Sequence, residues 1–330
     1  MRVLVTTYGS RGDVQPIVAL TVALRNLGVE VAMCVPPDAE FVKLLERYEI
    51  QLIPAFASVR DWVDRARQSG MRLPQLAGVM IPAQYQVLSA AAEGCDAIVA
   101  TVLLPSVAAA QAAAEIRSVH FSSVHFCPRY LPSPQLPPVE FPGWPHPPGM
   151  KANNRALWAF NLTALNALFG EAVNRHRAAI GLPTIDNVRD YVSGGKIWLA
   201  SDPALGPWHR SDMCTAVHTG AWLLPDARSL PSDLTTFLDA GTPPVYVAFG
   251  SMPMQGAPDA ARAAIEVVRA QGRRVLLARG RAELDAIDDG DDSFVTGEVN
   301  QQACVRFGPQ SDSPAHSIPP SVGRKKRAVS

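Results

Sequence analysis

The sequence predicts an α/β protein made of two Rossmann-like halves in tandem, and three observations carry that prediction. Apolar β-branched runs alternate with amphipathic helical runs, a glycine turn separates the first strand from the first helix, and the alternation restarts after Pro244. Continuous apolar strands separated by helices mean βαβ units, and hence a parallel sheet covered on both faces.

In chain order, RVLVTT reads as a strand, VQPIVALTVALRNLG as a helix closed by Gly28, VEVAMCVP as a strand and AEFVKLLERYE as a helix. QLIPA is a further strand. After a longer helical region, CDAIVATVLL reads as a strand and leads into an alanine-rich helix through Ile116. The stretch Leu131 to Pro148 holds eight prolines, too many for a helix or an interior strand, and reads as a long ordered loop. A helical tract from Asn153 to Ile180 follows. LPDARSLPSDLTTFLDAGTPP looks like a connection with one short helix. The second series is then PVYVAFGSM (strand), PDAARAAIEVVRAQG (helix), RRVLLARG (strand) and SFVTGEV (strand).

With 330 residues, 48% of them hydrophobic, the chain can bury a full core and is long enough for two domains. Its 30 basic residues balance 30 acidic ones, which leaves no field to attract nucleic acid. The start lacks the apolar core of a secretory signal, and AIVATVLLPSVAAAQAAA is interrupted by Pro105 and Gln111, so no membrane span is expected. The five cysteines show no C-x-x-C pair or nearby histidine ligand, which fits a reducing cytoplasm.

A strand, a glycine turn and a helix N-terminus form an anion site, because free N–H groups and the helix dipole face the ligand. GSRGDV could therefore belong to a nucleotide-binding oxidoreductase. Against that reading, the third glycine of G-x-G-x-x-G is missing, and CVPPD carries no acid at the strand tip for a ribose hydroxyl. Asp13 can be a catalytic carboxylate or a helix cap. Arg11 can contact an anion or form a surface ion pair. DDGDD, residues 288 to 292, has D-x-D spacing but reads better as a solvated acidic loop than as a metal site. His120 and His125 sit near a strand end, where packing and ligand contact are both open.

GSRGDVQPIVALTVALRNLGVEVAMCVPP resembles the amino-terminal signature of two-domain GT-B glycosyltransferases. The nearest type decorates glycopeptide antibiotics and mycobacterial glycopeptidolipids, with sterol glucosyltransferases related. The resemblance continues in FCPRYLPSP, AIGLPTIDNV, TGAWLLPDARSL, LDAGTPPVYVAFGSM, GRRVLLARG and GEVNQQ, over about residues 1 to 302. It implies an acceptor-binding domain over 1–220, a linker over 221–240 and a partial nucleotide-sugar domain over 241–302, the two domains facing across a cleft.

The implied reaction is inverting transfer of a hexose from a nucleoside-diphosphate sugar to a hydroxyl of a lipid, lipopeptide or other natural-product aglycone. No metal or other cofactor is implied. Asp13 matches the family's catalytic base. Ser10, Arg11, Gly250 and Ser251 match its diphosphate contacts, Gln301 a nucleotide contact, and His125 and Tyr130 acceptor contacts. The expected place is the cytoplasm, with peripheral contact at the inner membrane face where the acceptor is a lipid.

After VNQQ the resemblance stops: the HHGGAGT-type motif and later βα units do not follow, and residues 303–330 read as a disordered, non-family tail ending in the basic run Arg324 to Arg327. The expectation is a second domain left incomplete, with transfer impaired. The alternative is a non-catalytic remnant that binds acceptor only.

Overall fold

The computed structural model describes residues 1–101, 103–141, 143–150, 153–193, 197–250, 257–280, 284–286, 288 and 290–306. The chain divides into two compact units, Met1–Pro225 and Asp226–Ser330.

The first unit runs β1 (Arg2–Thr7), α1 (Arg11–Asn26), β2 (Glu30–Val35), α2 (Ala39–Glu46), β3 (Leu52–Pro54), α3 (Val59–Ser69), α4 (Leu73–Ala91), β4 (Ala97–Thr101), α5 (Leu104–Arg117) and β5 (His120–His125). It continues through α6 (Asn154–Leu165), α7 (Glu171–Ala179), α8 (Val188–Ser193), β6 (Ile197–Leu199) and β7 (Ala216–His218). The strands form one sheet of order β3-β2-β1-β4-β5-β6-β7, and every pairing is parallel. Successive strands step outward in opposite directions from the β1–β4 pair. Their carboxyl ends therefore open a crevice at the switch point.

Leu4 packs with Met80, Ile81, Leu88 and the alanines of α5. Val3 and Val5 pack on the other face with Val14, Ile17, Val18, Phe41 and Leu45. Val3, Leu4 and Val5 of β1 are all apolar because both faces of the strand are dry. In α5 nine residues are buried, most of them alanine, and small side chains let this helix lie close to both β4 and α4.

Three details differ from the sequence reading. The arginine, second glycine and aspartate of GSRGD lie in the first turn of α1, which begins at Arg11; the connecting turn is only Tyr8 to Ser10. The helical tract after Asn153 is interrupted by a π segment, Asn166–Gly170. There the Asn166 amide bridges to the chain ahead of α8, donating to the Asp186 carbonyl at 2.8 Å and accepting from the Val188 N–H at 3.0 Å. Strands β6 and β7 span only three residues each, too short for a periodic signal.

The proline-rich loop is held by side chains of α6, with Trp158 Nε1 donating to the Leu136 carbonyl and Asn154 Nδ2 to that of Pro134. Behind the sheet, the Arg177 guanidinium is 3% exposed. It donates to both Glu115 oxygens at 2.9 and 3.1 Å and to the Pro183 carbonyl at 2.7 Å. It also lies 4.6 Å from the centre of the Tyr191 ring, so one cation joins α5, α7 and α8.

The second unit has α9 (Ser232–Asp239), β8 (Val245–Ala248), α10 (Ala257–Ala270), β9 (Val275–Ala278), β10 (Ser293–Thr296) and α11 (Gln301–Arg306). Its strands form a parallel sheet of order β10-β9-β8. Ile265 and Val268 of α10 cover one face with Val275 and Leu277. Leu234, Leu238 and Cys304 cover the other with Leu276. Helical order thus continues past Gln302, where the sequence pattern stops, because Cys304 is buried beneath the sheet; residues 307–330 lie outside the described residues.

Replacing Glu115 by alanine leaves the buried Arg177 charge without its counter-ion. Urea unfolding is expected to show a loss of about 3–5 kcal/mol, and a loss below about 1 kcal/mol would mean the pair does not hold these helices together.

Candidate active site at the sheet switch point

Strand β1 ends at Thr7, whose hydroxyl lies 2.8 Å from that of Thr101 at the end of β4. This buried pair ties together the two strands that flank the crevice. Tyr8 follows, 3% exposed, with its hydroxyl donating to the Ala57 carbonyl at 3.0 Å and its ring edge-on to Phe56. Burial pushes the Tyr8 phenol pKa up, so it stays protonated.

Ser10 is the N-cap of α1 with extended backbone. The Asp13 carboxylate, one turn in, reaches back: its Oδ2 accepts from the Ser10 N–H at 2.6 Å and from the Ser10 hydroxyl at 3.2 Å. This is half of a capping box, with aspartate at the third helical position. Asp13 therefore does cap the helix, and only one of its oxygens is used for that. Its Oδ1 accepts no hydrogen bond among the described residues. Burial raises the carboxyl's pKa, while the Ser10 N–H and hydroxyl pull it partly back. A half-buried carboxylate with one oxygen anchored and its pKa raised has the properties of a general base.

Gly9 makes this geometry possible. A Cβ at Gly9 would stand 2.7 Å from Asp13 Cγ and closer still to Oδ2, so any larger residue displaces the carboxylate. Arg11, in the same turn, donates from Nε to Gln15 Oε1 at 3.2 Å. The structure therefore gathers Ser10, Arg11 and Asp13 at one helix N-terminus.

His125 ends β5, two strands from β1 at the same edge of the sheet, or roughly 10 Å at ordinary strand spacing. Its ring stacks on Tyr130 with centres 6.5 Å apart and planes at 30°. Burial lowers the imidazole pKa to about 4, so this histidine is neutral near pH 7. Tyr130 is 54% exposed.

In the second unit, Gly250 follows β8 with φ of 67°, a conformation that favours glycine. A Cβ on Gly280, after β9, would sit 2.5 Å from the Gly250 carbonyl oxygen, so the ends of these strands are held close backbone to backbone. Ser251 lies outside the described residues. Gln301 is the exposed first residue of α11.

Beside Gln301, Asn300 is 5% exposed and was not anticipated from sequence. Its amide donates to the Asp226 and Arg228 carbonyls at 2.8 and 2.9 Å and accepts from the Ala303 N–H at 3.0 Å. In the acidic stretch Arg269 donates to Asp288 Oδ2 and to Asp292 Oδ2, each at 2.7 Å. That contact holds the Asp288 carboxyl down at about 2. Both aspartates stay part-exposed, so the stretch between β9 and β10 is a solvated acidic loop with an arginine partner. Among the described residues no group of three His, Cys, Asp or Glu side chains is placed to hold a metal, and no helix is long and apolar enough to cross a membrane.

A seven-stranded parallel sheet followed by a second parallel βαβ unit is the GT-B architecture of glycosyltransferases. A crystal structure of the glycotransferase of kitacinnamycin shares this fold, with a TM-score of 0.63 at 16% identity over 93% of this chain and 73% of that one. Residues 3–132 match the glycosyltransferase family 28 N-terminal domain. The vancomycin aglycone glucosyltransferase of Amycolatopsis orientalis is 42% identical over 316 residues, 93% of this chain and 74% of that protein. The dTDP-epi-vancosaminyltransferase of the same organism is 42% identical over 305 residues, 92% of this chain and 71% of that protein. The chain belongs to this family of glycopeptide-antibiotic glycosyltransferases. That membership replaces the oxidoreductase alternative.

Two measurements check the site. In Gly9→Ala the added methyl pushes Asp13 off Ser10, so the helix loses its cap and unfolding free energy is expected to fall by about 1 kcal/mol; unchanged stability would show the contact is not made. His125 is neutral in the folded state and takes up a proton on unfolding below its ordinary pKa of 6.5, so stability is level above that pH, falls between 6.5 and about 4, and levels off again below. His125→Phe is expected to remove up to about 1.4 kcal/mol per pH unit of that slope, read by urea titration at pH 7 and pH 5.

Proposed function

We propose that this protein moves a hexose from a nucleoside-diphosphate sugar to a hydroxyl of a natural-product acceptor, with inversion and with Asp13 as the base. The supporting observation is the Asp13 carboxylate: Oδ2 is fixed by Ser10, Oδ1 has no donor among the described residues, and burial raises its proton affinity. The acceptor O–H proton passes to Asp13 as the oxygen bonds to the anomeric carbon. The bond from that carbon to the diphosphate breaks, and the diphosphate leaves with the electron pair.

Among lipid, lipopeptide and aglycone acceptors, a glycopeptide aglycone has the best support, from the name of a relative at 42% identity. A thymidine-diphosphate donor is supported by the name of another. In this reading Ser10 and Arg11 offset charge on the leaving diphosphate, Gly250 and Ser251 contact it by backbone and hydroxyl, and Gln301 contacts the nucleotide. His125 and Tyr130 present a neutral stacked surface to the acceptor. Arginine and backbone dipoles can stabilise a leaving diphosphate without a metal.

Asp13→Asn removes the base while keeping the size of the side chain. With a thymidine-diphosphate hexose and vancomycin aglycone, kcat is expected to drop by about 10²–10⁴, with aglycone affinity by calorimetry unchanged and the wild-type rate insensitive to EDTA. Transfer by the variant within about tenfold of wild type overturns the role of Asp13. Aglycone binding without transfer by the wild-type chain supports the acceptor-only alternative.

A further inference from the structure

Strand β8 is the end strand of the sheet β10-β9-β8 and pairs with β9 alone among the described residues. Strand β9 is buried at every position, whereas both ends of β8 are exposed. Val245 and the following Phe249 each stand 37% exposed. We propose that this edge pairs with the same edge of a second copy of the chain, the two β8 strands running antiparallel about a twofold axis at Val247.

An open sheet edge is a row of unpaired N–H and C=O groups, and stable monomers blunt it with charge, proline or brevity. The other edge strands of this protein are blunted in these ways. β3 has three residues and ends in Pro54, and β7 has three residues. β10 follows Asp291 and Asp292 directly, with Glu298 just beyond its end. The run VYVAF carries no such device: Pro243 and Pro244 precede it, and no Asp, Glu, Lys or Arg occurs between Asp239 and Asp259.

Backbone direction gives the register. The Val245 N–H donates to the Arg274 carbonyl at 2.8 Å, on the β9 side, so by alternation Tyr246 and Ala248 turn their N–H and C=O groups to the open edge. Setting Tyr246 opposite Ala248 of the second copy, and Ala248 opposite its Tyr246, satisfies these groups, each pair exchanging two hydrogen bonds. The same register sets Val245 against Phe249 of the second copy on both sides of the axis. These are close, non-hydrogen-bonded pairs of a β-branched and an aromatic side chain, which stabilise antiparallel strands. Val247 packs toward α10, and Val245 and Phe249, two positions to either side, share its face. The two exposed apolar residues are thus symmetric about Val247, so an antiparallel copy covers each with the other, and that symmetry specifies the occupant.

Association is read without sugar nucleotide or acceptor, so the inference stands or falls apart from the transfer reaction. The full chain is examined by sedimentation equilibrium from about 1 to 100 μM. Expected is a reversible shift from monomer to dimer that stops at the dimer, with hydrogen exchange at the Tyr246 and Ala248 amides slowing as the dimer forms. Val245→Lys with Phe249→Lys sets like charges opposite each other and should weaken dimerisation at least about tenfold. Val245→Lys with Phe249→Glu sets opposite charges in the same pairs and should dimerise about tenfold more tightly than the double lysine variant. Circular dichroism checks that both variants fold, and where either does not, amide exchange in the unaltered chain decides. A monomer at every concentration overturns the proposal, the edge then being closed by residues of its own chain or left open. Growth past the dimer, unchanged exchange at the two amides, or equal dimerisation of the two folded variants overturns it as well.

Discussion

Strand β1 has no solvent-facing side: Leu4 packs beneath α4 and α5 while Val3 and Val5 pack beneath α1 and α2. A strand dry on both faces must sit at the centre of a parallel sheet with helices above and below, and its partners here are β2 and β4. The chain therefore departs from the β1–β4 pair in both directions. The crevice at their carboxyl ends follows from that burial, and the α1 turn lies in the crevice because it leaves β1 there.

In that turn, capping and the proposed catalysis share one side chain. A helix start needs an acceptor for its first N–H groups, and a base needs an oxygen free to take a proton. Asp13 meets both needs because a carboxylate has two oxygens, and Ser10 occupies only Oδ2. Gly9 is the steric condition for the arrangement. The two functions considered as rivals at this position are compatible, and the cap orients the group that would accept the proton.

Away from the crevice, charge is handled by enclosure and pairing. Arg177 is buried only where Glu115, a carbonyl and an aromatic face surround it. Asp288 and Asp292 of DDGDD meet Arg269, which makes a clasp between α10 and the start of β10.

Local sequence determined most of the strand and helix identities, because two-sided burial and amphipathic helices leave periodic marks: RVLVTT is β1 residue for residue, and the Ala-rich run is α5. It also determined family membership, since separated motifs keep their order and type. Tertiary structure decided what depends on residues far apart in the chain. The three-residue strands β6 and β7 exist through pairing with β5 and each other, and the π segment through an Asn166 clamp reaching some twenty residues ahead. The Arg177–Glu115 pair spans 62 positions. Short-range pattern cannot encode such contacts, because each side chain's environment is supplied by segments that only folding brings together.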